Sequence, residues 1–424
     1  MLAALFISLL VFLFMGVPIA FSIGLSSVFT LLIFSDVPLT IMIPRIFNTL
    51  NSSTFLAIPF FMLAGVIMEM GGISSRIIRF ANALIGHIRG GLGHVTVLTS
   101  MAFAGISGSA SADTSAVGSI MIPSMVKKGY PKGYAAALTA CSGALGPIIP
   151  PSIIMIIYGS LTGLSIGKLF LAGAIPGLII GGGLIGINYL CAKKLGMEPT
   201  ERASFKELGK SFVDAIWALL APIIIIGGII SGFFTATEAG VIAVAYSLIV
   251  SLFVYKELSF KNIGNVLVHA SNTTVMVMFI AASASAFGWI LANEQFPIKV
   301  ATFIGEFTTN KYLVIFIVIV FLMFIGCFIE TIAAAIIFVP VLAVIGTNFG
   351  YDPIHFATVV AICLVMGGIT PPVGVLLFIA NAIAKAKINE TIKYLWPFLA
   401  MIMVVILLVA YVPFLSTYLP SLLD

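Results

Sequence analysis

Two proline pairs, each set in the middle of a long apolar run, constrain this chain more than anything else in it. The first is Gly146-Pro147-Ile148-Ile149-Pro150-Pro151-Ser152 and the second is Gly367-Gly368-Ile369-Thr370-Pro371-Pro372-Val373. Proline removes a backbone donor and clashes with the preceding turn, so a pair of them ends a helix locally. The carbonyls so released must face protein, water or an ion if the segment lies in a membrane. Gly146 to Gly367 is 221 residues, and so is Gly105 to Gly326, upstream in each half. Broken helices at matching places in two halves point to a transporter's binding site.

Composition supports the membrane premise. The chain is 61% hydrophobic and 8% charged, with a mean hydropathy of +1.23. Many apolar stretches reach about 18 or more residues, the length that crosses a bilayer. The expected fold class is an all-α polytopic membrane protein, since a β-barrel would show short alternating segments. The net charge of +5 comes from short loops between apolar segments and reports topology. Cys141, Cys191, Cys327 and Cys363 lie in apolar runs or at their ends without metal-ligand spacing, and read as small packing residues. The N-terminus lacks a basic n-region and a cleavage site, so it reads as a mature membrane segment. No Gly-rich ATP loop and no nucleophile–base constellation stands out, so the expectation is not an enzyme.

Along the chain, residues 2–34 are apolar but interrupted at Gly16-Val17-Pro18, giving one kinked helix or a short one followed by a full one. A loop with Asp36 and Arg45 leads to a span over 54–70, then Gly71-Gly72 and a basic amphipathic stretch with Arg76, Arg79, His87 and Arg89 that suits a helix along the interface. Residues 94–126 hold a small, polar centre, Ala104 to Ser115, between apolar arms of about ten to fourteen residues, too short to cross alone. That pattern predicts a re-entrant hairpin. Its flanks, Arg89 and Lys127, Lys128 and Lys132, are basic, so both ends should be cytoplasmic.

The chain then divides as follows: 1–92, scaffold spans and the basic helix; 93–163, the first hairpin and broken helix; 164–311, scaffold spans with a charged cytoplasmic loop at 193–210; 312–385, a second hairpin and broken helix; 386–424, a last span. The second hairpin turns at Gly326-Cys327-Phe328-Ile329-Glu330-Thr331, and its flanks carry no basic excess. Charge therefore places the two hairpins in opposite orientation, an inverted repeat.

Sodium is a hard cation that takes oxygen ligands, and loose turns beside broken helices supply carbonyls and helix C-termini. One cation site is expected among Ser107, Gly108 and Ser109 of the first tip and Gly146, Ile149 and Pro151 of the first break. A second is expected among Gly326, Gly367, Thr370 and Pro371. The substrate should lie between the tips, its anionic group held by the hydroxyls of Ser109, Ser111, Ser152 and Thr331 with helix N-termini. Scattered serines usually serve close helix packing, but these crowd a turn beside an intramembrane acid. Asp113 and Glu330 are the coupling candidates, while Glu69 and Glu238 either act or only pair and cap at span ends.

At these residues the chain resembles a known family. Ser107-Gly108-Ser109-x-x-Ala112-Asp113, the two proline motifs and Pro59-Phe60-Phe61-Met62-Leu63-Ala64-Gly65 look like the large membrane subunit of the tripartite ATP-independent periplasmic (TRAP) transporters, the DctM-like family. The resemblance covers essentially the whole chain. It implies uptake of an organic anion (a C4-dicarboxylate, sialic acid or another carboxylate) across the bacterial inner membrane, driven by two or more transported sodium ions through an elevator motion. It also implies two partners, a small four-helix membrane subunit and a periplasmic substrate-binding protein. Since the chain starts directly at the large-subunit pattern, the small subunit is expected to be a separate polypeptide. Two other readings stand beside this one: a stand-alone sodium- or proton-coupled divalent-anion symporter, and a channel or assembly component.

Overall fold

The structure is a computed structural model that describes residues 1–199 and 201–423. Among the described residues every regular element is helical. A backbone surrounded by hydrocarbon must pair its own polar groups, and a helix does this within one segment. Six helices are long and apolar enough to cross a membrane: Ile166–Lys194, Phe205–Ile230, Ala236–Val254, Phe260–Asn293, Thr331–Asn348 and Ile388–Tyr411. The chain is a polytopic membrane protein.

The N-terminal stretch is neither one kinked helix nor a short helix leading into a full span. Leu2–Phe14 and Ile19–Phe34 pack on one another, with Gly16 at φ +80° making the corner. Short helices also form at Met42–Leu50, in the segment that reads as a loop, and at Phe296–Phe307. Ala57–Met70 ends at Gly71-Gly72, and Ile73–Ile85 leaves it at 66°. Gly72 takes the left-handed conformation there, at φ +74°. The basic residues of this second helix are partly paired: Arg76 with Glu257 at 3.2 Å and Arg79 with Asp214 at 3.7 Å.

The first hairpin consists of Gly91–Ser107 and Ala110–Lys127, so its arms are 17 and 18 residues, longer than expected. The turn is only Gly108-Ser109. Gly108 sits at φ +63°, and the Ser109 side chain caps the second arm by accepting from Ala112 N at 3.4 Å. Ser111 and Ser115 therefore lie on a helix rather than in a loose tip. Lys132–Gly143 and Ile153–Thr162 form the first broken helix. Lys311–Gly326 and Thr331–Asn348 form the second hairpin, and Pro353–Gly367 with Val375–Ala384 the second broken helix. The Pro150–Pro151 and Pro371–Pro372 peptides are both cis.

Packing interlaces the halves. Ile153–Thr162 lies against Thr331–Asn348, while Val375–Ala384 lies against Ala110–Lys127. The second part of each broken helix thus packs on the hairpin of the other half, which brings both tips to one place. The base of the first hairpin is held separately. Asn188 of Ile166–Lys194 donates from Nδ2 to Gly90 O at 3.1 Å, sits 3.0 Å from His94 Nδ1, and accepts from Tyr134 OH at 2.6 Å. All three side chains are buried, so the network joins hairpin, broken helix and long span in the core.

Candidate functional site

At the first tip Asp113 is fully buried one turn into its helix. Ser107 Oγ donates to Asp113 Oδ1, and Ser109 N donates to Ser107 Oγ at 3.2 Å. Asp113 Oδ2 is buried with no protein partner. The first break abuts this carboxylate through Gly146. A Cβ there would lie 2.4 Å from Asp113 Oδ2 and 3.0 Å from the Ser109 carbonyl. Glycine is required because the tip and the break meet without room for a side chain. Gly108 meets the break in the same way: a Cβ on it would lie 2.6 Å from Pro151 O, and its carbonyl accepts from Ile153 N at 3.4 Å.

Five of the six residues expected at the first cation site therefore converge: Ser107, Gly108, Ser109, Gly146 and Pro151. The Ile149 side chain packs against Gly177 of Ile166–Lys194. At the second tip, Gly326 and Gly367 touch backbone to backbone, Cys327 Sγ donates to Pro371 O at 3.4 Å, and Gly374 N donates to Cys327 O at 3.2 Å. Thr370, in the break, donates its hydroxyl back to Met366 O at 3.0 Å in the last turn of Pro353–Gly367. Each tip is thus tied to its break by one main-chain hydrogen bond.

Between the tips lies a cavity of about 50 Å³ bordered by Ser109, Ser111, Glu330, Thr331 and Gly368. Ala110, Ile153, Thr331 and Val375 also line it, and each is the first residue of a helix. Four helix N-termini, one from each hairpin and one from each broken helix, converge on one space. Unpaired N–H groups and the positive end of the helix dipole make such a point favourable to an anion. Sequence reasoning anticipated N-termini here but not their number, which depends on the interlaced packing.

Three of these N-termini carry internal caps. Ser109 caps the first. Ser152 caps the second, accepting from Met155 N at 3.2 Å and donating to Pro147 O. It is fully buried and does not border the cavity, so the hydroxyl expected to hold substrate instead secures the break. Glu330 caps the third, its carboxylate accepting from Ile332 N at 3.0 Å and Ala333 N at 3.1 Å. Val375–Ala384 has no side-chain cap. Glu238 forms a capping box with Thr235 at 2.8 Å, which gives it the capping role of the two weighed for it.

Comparison with known proteins identifies the family. Residues 6–415 match the family model described as tripartite ATP-independent periplasmic transporter, DctM component. The chain is 41% identical over 400 residues to the C4-dicarboxylate TRAP transporter large permease protein DctM of Pseudomonas aeruginosa, covering 94% of each. It is 37% identical over 398 residues to the 2,3-diketo-L-gulonate TRAP transporter large permease protein YiaN of Escherichia coli, again covering 94% of each. With the sialic acid TRAP transporter permease protein SiaT of Haemophilus influenzae it shares 37% over 427 residues, covering 99% of this chain and 69% of that one. Its fold is similar to that of the Alcanivorax borkumensis YdaH transporter at a TM-score of 0.54 and 15% identity, over 87% of this chain and 86% of that one.

Proposed function

This chain belongs to the DctM component family of tripartite ATP-independent periplasmic transporters, and from that premise we propose that it is the large permease subunit of a sodium-coupled carrier for a small organic-acid anion. The observation that carries the reading is the convergence of four helix N-termini on the cavity between the tips. An anionic group would bind there through main-chain N–H groups and the hydroxyls of Ser109, Ser111 and Thr331. The relatives named for C4-dicarboxylate, sialic acid and 2,3-diketo-L-gulonate share a carboxylate, and the proposal extends to that class.

Sodium ions would bind where each tip meets its break. Asp113 Oδ2 and the Ser109 carbonyl, close together beside Gly146, offer oxygen ligands at the first position. The carbonyl of Pro371, with the Cys327 carbonyl nearby, offers them at the second. Filling both positions would hold each tip against its break and so complete the anion site. Coupling then follows because the site is populated mainly with cations bound. The two hairpins would be re-entrant and the two halves inverted repeats in the bacterial inner membrane. The hairpins and broken helices would move as an elevator against the remaining spans. A small four-helix membrane subunit and a periplasmic substrate-binding protein would complete the assembly.

The test is uptake of labelled succinate and labelled sialic acid into proteoliposomes, with and without an inward sodium gradient and candidate partners. Sodium-stimulated uptake that requires a periplasmic protein and a small membrane subunit supports the reading. Undiminished uptake by the chain alone moves it to a stand-alone symporter, and sodium-independent, non-saturating flux overturns the carrier.

A further inference from the structure

A second cavity, of about 220 Å³, adjoins the first tip and shares Ser109 and Ser111 with the cavity between the tips. Four helices build it, each giving at least two positions one turn apart that face the same way; Gly91–Ser107 gives Phe103 and Ser107. Ala57–Met70 gives Gly65 and Glu69, Ala110–Lys127 gives Ser111 and Ser115, and Ile263–Asn293 gives His269 and Thr273. Its wall is graded. Ser111, Ser115, His269 and Thr273 are exposed, Glu69 is half-buried, and Ser107 is buried at the closed end. Gly65 packs against Ser107 there, since a Cβ on it would lie 3.5 Å from Ser107 Cα. Behind Ser107 is Asp113, to which its hydroxyl donates.

The chemistry of this wall is that of a cation path. It offers one carboxylate and several hydroxyls, no lysine or arginine lines it, and its only imidazole is a single histidine, short of a transition-metal ligand set. An intramembrane carboxylate attracts a cation and repels the organic anion. Among the described residues no hydrogen bond or salt bridge holds the Glu69 carboxylate, whose charged-group neighbour is His269 of the same cavity wall. The anion cavity is the complement, with four N-termini and its own acid, Glu330, neutralised in part by two main-chain donors.

We propose that this second cavity is the entry path and first holding site for a monovalent cation bound for Asp113, with Glu69 as the recruiting carboxylate and Ser107 as the last hydroxyl before the buried position. The proposal rests on the sodium-coupled reading above and adds a route and a recruiting residue to it. Cation and anion would therefore approach the first tip through different cavities, with Ser109 and Ser111 bordering both.

Binding of ²²Na⁺ to the purified full-length chain in nanodiscs tests this without any substrate. In Glu69→Gln the half-saturating sodium concentration should rise about fivefold, equivalent to about 1 kcal/mol, with slower association and unchanged capacity. Glu69→Asp should restore most of the wild-type value, and Thr273→Ala should give a smaller rise. Unchanged affinity and association rate in Glu69→Gln would overturn the proposal. So would equal loss of capacity in the Gln and Asp variants, which marks a structural role. A wild-type chain that binds no ²²Na⁺ would instead defeat the sodium-coupled reading itself.

Discussion

Gly326 and Gly367 meet main chain to main chain: a Cβ on Gly326 would lie 2.7 Å from Gly367 Cα, and one on Gly367 would lie 2.6 Å from Gly326 Cα. Residues far apart in the chain hold the second tip on its break through this contact. Backbone on both sides leaves no flexible side chain to give way.

Gly367→Ala should therefore push the second hairpin off its break. Overpacking of this kind costs about 1–3 kcal/mol. The expected outcome is a lower melting temperature in detergent together with loss of most uptake. Gly182→Ala, at a position with open space around it on the Ile166–Lys194 helix, should leave both unchanged.

Asp113→Asn keeps the shape of the buried side chain and removes its charge. Sodium-stimulated uptake should fall at least tenfold, a difference of about 1.4 kcal/mol or more. The check is a sodium titration at fixed substrate, in which a lowered maximal rate with an unshifted half-saturating concentration would count against Asp113 as a cation ligand.

Ser107→Ala leaves the Asp113 carboxylate without its hydroxyl donor. An unsatisfied buried acceptor costs about 1–3 kcal/mol, more for a charged group. Thermal unfolding should register the loss, and Ser107→Thr, which keeps the hydroxyl, should recover part of it.

Tyr134→Phe removes the donor to Asn188 Oδ1 while keeping the ring against Tyr394 and Phe398. The expected destabilisation is again about 1–3 kcal/mol. Because this network sits at the hairpin base, far from the tip, the sodium dependence of uptake should stay at the wild-type value.

What the sequence disclosed divides along the reach of its signals. Pro150-Pro151 and Pro371-Pro372 break helices by local sterics, so both breaks were legible from the chain alone. The acid at Asp113 stood out because an apolar run rarely carries one. Ser152 and Ser111 were harder, since a serine reads the same whether it caps a helix, lies along one or faces a ligand. Ser152 proved to be a cap, and Ser111 to lie within an arm, because Gly108 reverses the chain in two residues. The remaining features depend on distant partners. Glu69 was visible as an intramembrane acid, but His269 and Ser111 come to its cavity from other parts of the chain. The same holds for Val375, whose helix N-terminus reaches the cavity between the tips only because the halves interlace.

That interlacing sets an order of assembly. Chains are made from the N-terminus onward, and early segments fold as they emerge. The first hairpin leaves the ribosome well before Val375–Ala384, the helix that will lie along its second arm, and Ile153–Thr162 precedes its neighbour Thr331–Asn348. A nascent chain stopped after Ile166–Lys194 therefore holds a first hairpin not yet covered by Val375–Ala384. The cavity between the tips comes into being late, when the last third of the protein reaches the bilayer and closes over a space whose first half has been waiting there.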